Sequence, residues 1–258
     1  RVLPYRDYDA ETGLFMNEKT MGFMLEAQPI NGANETIVSS LENLMRTKLP
    51  REVPVAVHLV SSHLVGQDIE YGLRELSWTG EKADTFNAIT RAYYLRAAEE
   101  GFPLPDHLNL PLTLRNYRVY ISCCVPRKRG SKASVMEMEN QVKIIRASLQ
   151  GAQIATRSVD ADAFIRIAGE MINHNPDALY PTERELDPLK DLNYQCVDDT
   201  FDLKVKADYM TLGLRGNGRN STARIMNFQL TKNPELAFLW NMADNYSNLL
   251  NPELSVSC

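Results

Sequence analysis

The sequence predicts a mixed α+β fold, and three observations carry the prediction. Short alternating or β-branched runs, such as Pro54–Ser61 (PVAVHLVS) and Leu112–Val125 (LTLRNYRVYISCCV), read as strands. Between them lie segments whose apolar residues recur at steps of three and four. The clearest is Val135, Met138, Val142, Ile145 and Leu149. The two kinds of segment alternate, and short polar connections join neighbouring strands, so strand–helix steps are expected beside antiparallel hairpins. A chain of 258 residues, 44% hydrophobic and 24% charged, has the apolar material for a sizeable core.

In chain order, Gly13–Asn17 and Met21–Pro29 form a hairpin through the polar Glu18-Lys19-Thr20. Asn34 caps a helix carrying Ile37, Val38, Leu41, Leu44 and Met45. Pro54–Ser61 is a buried strand. Thr85–Glu100 is a helix with Phe86, Ile89, Tyr93 and Ala97 on one stripe, and Gly101 stands at its left-handed C-terminal cap. Leu112–Val125 is the longest strand, and the loop PRKRGSK (Pro126–Lys132) leads into the helix stopped by Gly151. Ala152–Val159 is a strand, and Asp160 caps a helix running to about Asn173. His174–Asp199 carries three prolines and no sustained period, so it reads as a long arm that is functional, mobile, or holds short helices. Phe201–Leu212 and Ala223–Leu230 alternate like strands. Asn233-Pro234 opens a helix that buries Leu236, Leu239, Trp240, Ala243, Tyr246 and Leu250.

The stretch GLRGNGRNSTAR (Gly213–Arg224) spaces Gly213 and Gly218 as a phosphate-binding P-loop would. The lysine position holds Arg219, a planar fork rather than a compact ammonium, and the Mg²⁺-binding hydroxyl position holds Asn220. A strand-like segment follows, where a P-loop needs a helix N-terminus to hold phosphate. The stretch therefore reads as a β-hairpin connection. His58 and His63 are five apart and read as hydrogen-bonded structural residues; no H-E-x-x-H or G-x-S-x-G occurs, and no carboxylate spacing marks an acid/base pair. Cys123, Cys124, Cys196 and Cys258 form no C-x-x-C pair, which suggests a reduced, cytoplasmic protein. The formal net charge of -5 speaks against sequence-independent nucleic-acid binding. Candidate partner-binding residues are the basic loop Arg127, Lys128, Arg129 and Lys132, and the hairpin arginines Arg215, Arg219 and Arg224. The chain opens on Arg1, and Leu254–Cys258 is an alternating segment that leads nowhere, so a fragment of a longer protein is expected.

Three stretches, LPYRDYDAETGLFMNE (Leu3–Glu18), MGFMLEAQPINGANETIVSSLENL (Met21–Leu44) and KNPELAFLWNMADNYSNLLNPELSVSC (Lys232–Cys258), carry a resemblance. The chain resembles the N-terminal region of the conjugative type IV secretion ATPases of F-like plasmids, within the wider VirB-type family. The helix–Gly–strand–Asp–helix passage from Val135 to Asn173 suits that family. The resemblance implies a non-catalytic docking and assembly domain over 1–258, with two lobes, 1–130 and 131–258, as the alternative. It implies that ATP and Mg²⁺ bind in a P-loop domain further along, so that this chain holds no cofactor. It implies inner-membrane secretion components as partners, self-association within a hexameric ATPase, no direct nucleic acid, and a cytoplasmic place peripheral to the inner membrane. The competing reading of the residues is a stand-alone soluble enzyme with an unrecognised site.

Overall fold

The computed structural model describes residues 3–30, 32–49, 54–75, 77–102, 112–127, 132–173, 175, 178–198, 201–205, 210–214, 220–223 and 256–257. The chain opens with β1 (Tyr5–Asp9), β2 (Leu14–Asn17) and β3 (Thr20–Ala27). The turn between β1 and β2 closes by Gly13 N–H donating to the Asp9 carbonyl at 2.8 Å, with Gly13 at φ +71°. Helix α1 (Glu35–Asn43) follows, and its cap is the predicted one: the Asn34 side chain accepts from the Ile37 amide at 2.9 Å. A single π-helical turn, Leu44–Lys48, extends it. Then come β4 (Val55–Ser62), α2 (Gly66–Glu75), α3 (Ala83–Glu99) and β5 (Asn116–Pro126). Helix α4 (Lys132–Gly151), β6 (Thr156–Ser158), α5 (Ala161–Ile172) and the short α6 (Leu192–Gln195) complete this part.

The main sheet is antiparallel, in the order β1-β2-β3-β5-β4 with β6 also on β3. β3 and β4 both run antiparallel to β5, which lies between them; β5 and β6 both run antiparallel to β3. Two strand–helix–strand units, β3–α1–β4 and β5–α4–β6, are thus interleaved in the order β6-β3-β5-β4, a ferredoxin-like split βαβ arrangement. This is how the α/β grammar of the sequence is reconciled with an antiparallel sheet. Strands from both sides of position 130 share it.

Both faces of the sheet carry a core, but β4, expected as a buried strand, leaves Val57 (49%) and Leu59 (46%) exposed. Met21, Phe23, Leu25 and Ala27 of β3 and Ile121 and Cys123 of β5 pack on Met138, Ile145 and Leu149 of α4, with Ile37 and Leu41 of α1 at the margin. The period-two alternation sends Met24, Tyr120 and Val60 to the other face, against Phe164, Ile165 and Ile167 of α5, Leu192 in α6 and Cys196 just after it. Helix α5 starts where the sequence predicts, with Asp160 Oδ1 accepting from the Ala163 amide at 2.8 Å. Gly101 takes the left-handed angle expected after α3, φ +91°. At the end of α4 the left-handed residue is Gln153, φ +61°, rather than Gly151.

The arm from His174 holds a short helix, α6, as one of its expected readings allows. Other expectations change. Phe201–Leu212 is two strands, β7 (Phe201–Val205) and β8 (Met210–Leu214), which with β9 (Asn220–Ala223) form a separate three-stranded antiparallel sheet. The pairing Gly213↔Asn220 puts both residues in strands, narrows the connection to 215–219, and leaves a strand where a P-loop requires a helix. The end segment leads somewhere: β10 (Val256–Ser257) pairs antiparallel with β4, Val256 opposite Leu59 and Ser257 opposite His58. The predicted helix behind Pro234 lies outside the described residues.

Candidate interaction surfaces

Of the basic residues singled out in the sequence, Arg127 is exposed, and its backbone amide donates to the Lys19 carbonyl at 2.9 Å, which ties the loop to the β2–β3 turn. Lys132 opens α4. Lys128, Arg129, Arg215, Arg219 and Arg224 lie outside the described residues. The two histidines take separate partners: His58 Nε2 lies 2.9 Å from Ser122 Oγ, and His63 Nε2 lies 2.7 Å from the Asn175 carbonyl. Burial pushes the His58 imidazole below its usual pKa. Among the described residues no group of three or more His, Cys, Asp or Glu could hold a metal.

The arm is fastened by side chains that hydrogen-bond backbone. Gln195 accepts from the Asp187 amide at 2.8 Å and donates to the carbonyls of Asp187 and Lys190. Asn173 donates to the carbonyls of Gly169 (2.8 Å) and Cys196 (2.7 Å) and accepts from the Asp198 amide. Arg184, 11% exposed, makes a bidentate pair with Asp198 at 2.6 and 2.8 Å. Its guanidinium lies against Gly169, where any β-carbon would collide with it. Tyr180 packs on Gly66 at the start of α2 and donates to Glu70 at 2.7 Å. Arg91 of α3 also pairs with Glu70 and, as the leading cause, holds its carboxyl below the usual range.

The sequence puts Phe86, Ile89, Tyr93 and Ala97 on one stripe of α3; the structure buries Ala97, 2% exposed, and among the described residues leaves the other three uncovered. Ala83, Asn87, Thr90, Tyr94, Ala97 and Ala98 form the less exposed side of the helix. A quarter turn away, Phe86 is 46% exposed, Ile89 61% and Tyr93 50%, with Trp78 at 59% beside them. These residues are not loosely placed. Asn87 accepts from the Trp78 amide at 2.7 Å and donates to its carbonyl at 3.3 Å, and this brings the indole to 5.4 Å from the Phe86 ring. At the far end Tyr93 lies 5.9 Å from Phe102, whose backbone bridges to Leu112. Exposed aromatics fixed in place are the composition of a protein-binding hot spot. The periodicity alone could have located this stripe, but not its lack of a cover.

The polar cleft at the end of the sheet is a weaker candidate. It encloses about 520 Å³ between Glu26, Asp68, Asn116, Arg118 and Arg157. Glu26 pairs with Arg157, and Asp68 accepts from Asn116 at 2.7 Å, so these carboxylates already have partners. Nearby, burial pushes the Glu170 carboxyl up, opposed by Arg118 at 3.5 Å and by Arg166 and Arg184. Burial also pushes the Cys123 and Cys196 thiols up to about 11, which keeps them protonated and inert at neutral pH. No helix among the described residues is long and apolar enough to cross a membrane.

A protein-family model described as "TraC protein" matches residues 1–258. Protein TraC of Escherichia coli (strain K12) is 72% identical over 258 residues, which is 100% of this chain and 30% of that relative. The chain thus spans about a third of the length of the curated relative it matches.

Proposed function

This chain belongs to the TraC protein family, and on that premise we propose that it is the N-terminal docking and assembly domain of a conjugative type IV secretion ATPase. Its work is mechanical rather than chemical: it holds the motor on inner-membrane secretion components for pilus assembly and DNA transfer. ATP and Mg²⁺ bind in sequence outside the stretch matched here. The observation that carries the reading is the 72% identity over the whole chain but only 30% of the relative. The pre-arranged aromatic face of α3 and the strand pairing Gly213↔Asn220 support it. The domain sits in the cytoplasm, peripheral to the inner membrane through protein partners, and the net charge of -5 favours protein over nucleic acid as what it touches.

The test is affinity co-purification of the 258-residue chain from cells expressing the inner-membrane secretion components, beside calorimetry with ATP and Mg²⁺. Retention of those components without heat from nucleotide is the expected result. Mg-dependent ATP binding by this chain, or no retention of any component, overturns the reading. Charge reversal of Arg127, Lys128 and Arg129 together is expected to lower retention while leaving the circular dichroism spectrum unchanged.

A further inference from the structure

We propose that the aromatic face of α3 is a self-association surface, on which α3 of a second copy of this chain packs antiparallel across a two-fold axis. The inference names a partner for one surface of the domain, and so rests on the reading of the chain as an assembly module. Three features of the face select a second copy as the occupant.

The apolar part is symmetric about its middle. Trp78 stacks on Phe86 at one end, Tyr93 approaches Phe102 at the other, and Ile89 lies between. An antiparallel copy sets the first aromatic pair beside the second and Ile89 beside the partner's Tyr93. The charges at the two ends are opposite. Lys82 and Glu100 lie five turns apart on the same stripe as Phe86, Ile89 and Tyr93, one before α3 and one after it. Lys82 makes no ion pair among the described residues, and Glu100 pairs only with the exposed Arg96 of its own helix, at 2.7 Å. In the antiparallel pair each Lys82 meets the partner's Glu100; a parallel pair would set lysine on lysine and glutamate on glutamate. The Trp78 end of the face is also held before anything binds, because Asn87 bonds its backbone at both amide and carbonyl, which lowers the ordering entropy lost there on contact.

The size of the face sets the strength. Four large side chains, each about half exposed, offer on the order of 400 Å² per copy. Twice that is below the size of a standard stable interface, so a dissociation constant of roughly 10–100 μM is expected for the chain on its own.

Sedimentation equilibrium of the 258-residue chain across that range tests the proposal. The average mass should climb from 29.2 kDa toward twice that value. Ile89→Asp should raise the dissociation constant at least ~10-fold. Lys82→Glu and Glu100→Lys should each weaken the dimer, and the variant carrying both should recover it. For orientation, Ile89→Cys should join with a short bis-maleimide above the background of the unsubstituted chain, whereas Lys82→Cys should not, since an antiparallel pair separates those positions by about 27 Å. Ile89 and Lys82 are exposed, so these variants leave the core intact. A chain that stays monomeric throughout, a dimer indifferent to Ile89→Asp, or Lys82→Cys joining as readily as Ile89→Cys would overturn it. None of these results depends on secretion components, so failure here leaves the co-purification result standing.

Discussion

Gly22 is the tightest point of the sheet. It stands opposite Cys124 in the β3–β5 ladder, and a β-carbon there would run into the Cys123 carbonyl and the Cys124 sulfur. The sulfur ends a side chain that can turn, but the Cys123 carbonyl and the Cys124 α-carbon are backbone and cannot swing aside. Gly22→Ala is therefore expected to cost about 2 kcal/mol or more, read as a lower urea midpoint at unchanged slope. The neighbouring Cys123 and the distant Cys196 make a second residue-scale prediction. Their folded thiols keep protons up to about pH 11, whereas unfolded thiols release them near the ordinary value of 9.0. The stability that protonated thiols contribute is thus complete below about pH 9 and is lost as pH rises toward 11. Urea midpoints measured from pH 8 to 11 should fall, and Cys196→Ala should flatten part of that fall. Alternation along Leu112–Val125 puts Cys123 with Ile121 on the inward set and its neighbour Cys124 on the opposite side; the register of β5 fixes this, with Cys123 buried and Cys124 exposed.

Helices with a cap residue and a regular period were legible in advance. Asn34 and Asp160 cap as expected because the signal is local: an oxygen three residues before an amide that has no other partner. Asp160→Ala should accordingly cost ~1 kcal/mol, visible as a drop in the thermal midpoint. What was not legible depends on partners distant in sequence. Helix α6 has four residues, too few to show a period, and is held by Gln195 and by the Asn173 bond to Cys196. The three prolines of its arm hid that order. The two-residue β10 exists only because β4 offers an edge. The stripe on α3 was readable as a stripe, yet periodicity reports that apolar residues share a face and is silent on whether anything lies against it. A hairpin across the glycine stretch was expected with its second strand at Ala223–Leu230; β9 instead begins at Asn220, so Gly213 and Asn220 are ladder residues, and 224–230 lie outside the described residues.

At the scale of the whole molecule, the sheet separates two cores that share no side chain among the described residues. Ile145 on α4 belongs to one and Ile165 on α5 to the other, at 1% and 0% exposure. Each Ile→Ala change should cost ~2–5 kcal/mol, and the double variant should equal the sum of the two within about 0.5 kcal/mol. Urea unfolding of the four chains decides this; a double variant far from the sum would mean that strain crosses the sheet. The interleaved split βαβ order was out of reach of sequence, because strand–helix alternation is the same whether a third strand intervenes or not. One detail of that order reaches further. The helical hairpin α2–α3 leaves β4 after Ser62 and returns to β5 at Asn116, and those two residues face each other as the last pair of their ladder. The fifty-odd residues between are thus a cassette whose two ends enter the sheet side by side, fastened further by Tyr180 at Gly66 and Glu70 and by the bond of His63 to the Asn175 carbonyl. Replacing 63–115 with a tight turn should yield a chain that still folds around both cores and no longer dimerises. The face that selects the chain's neighbour is thus carried on an insert between two strands of the platform, not on the platform itself.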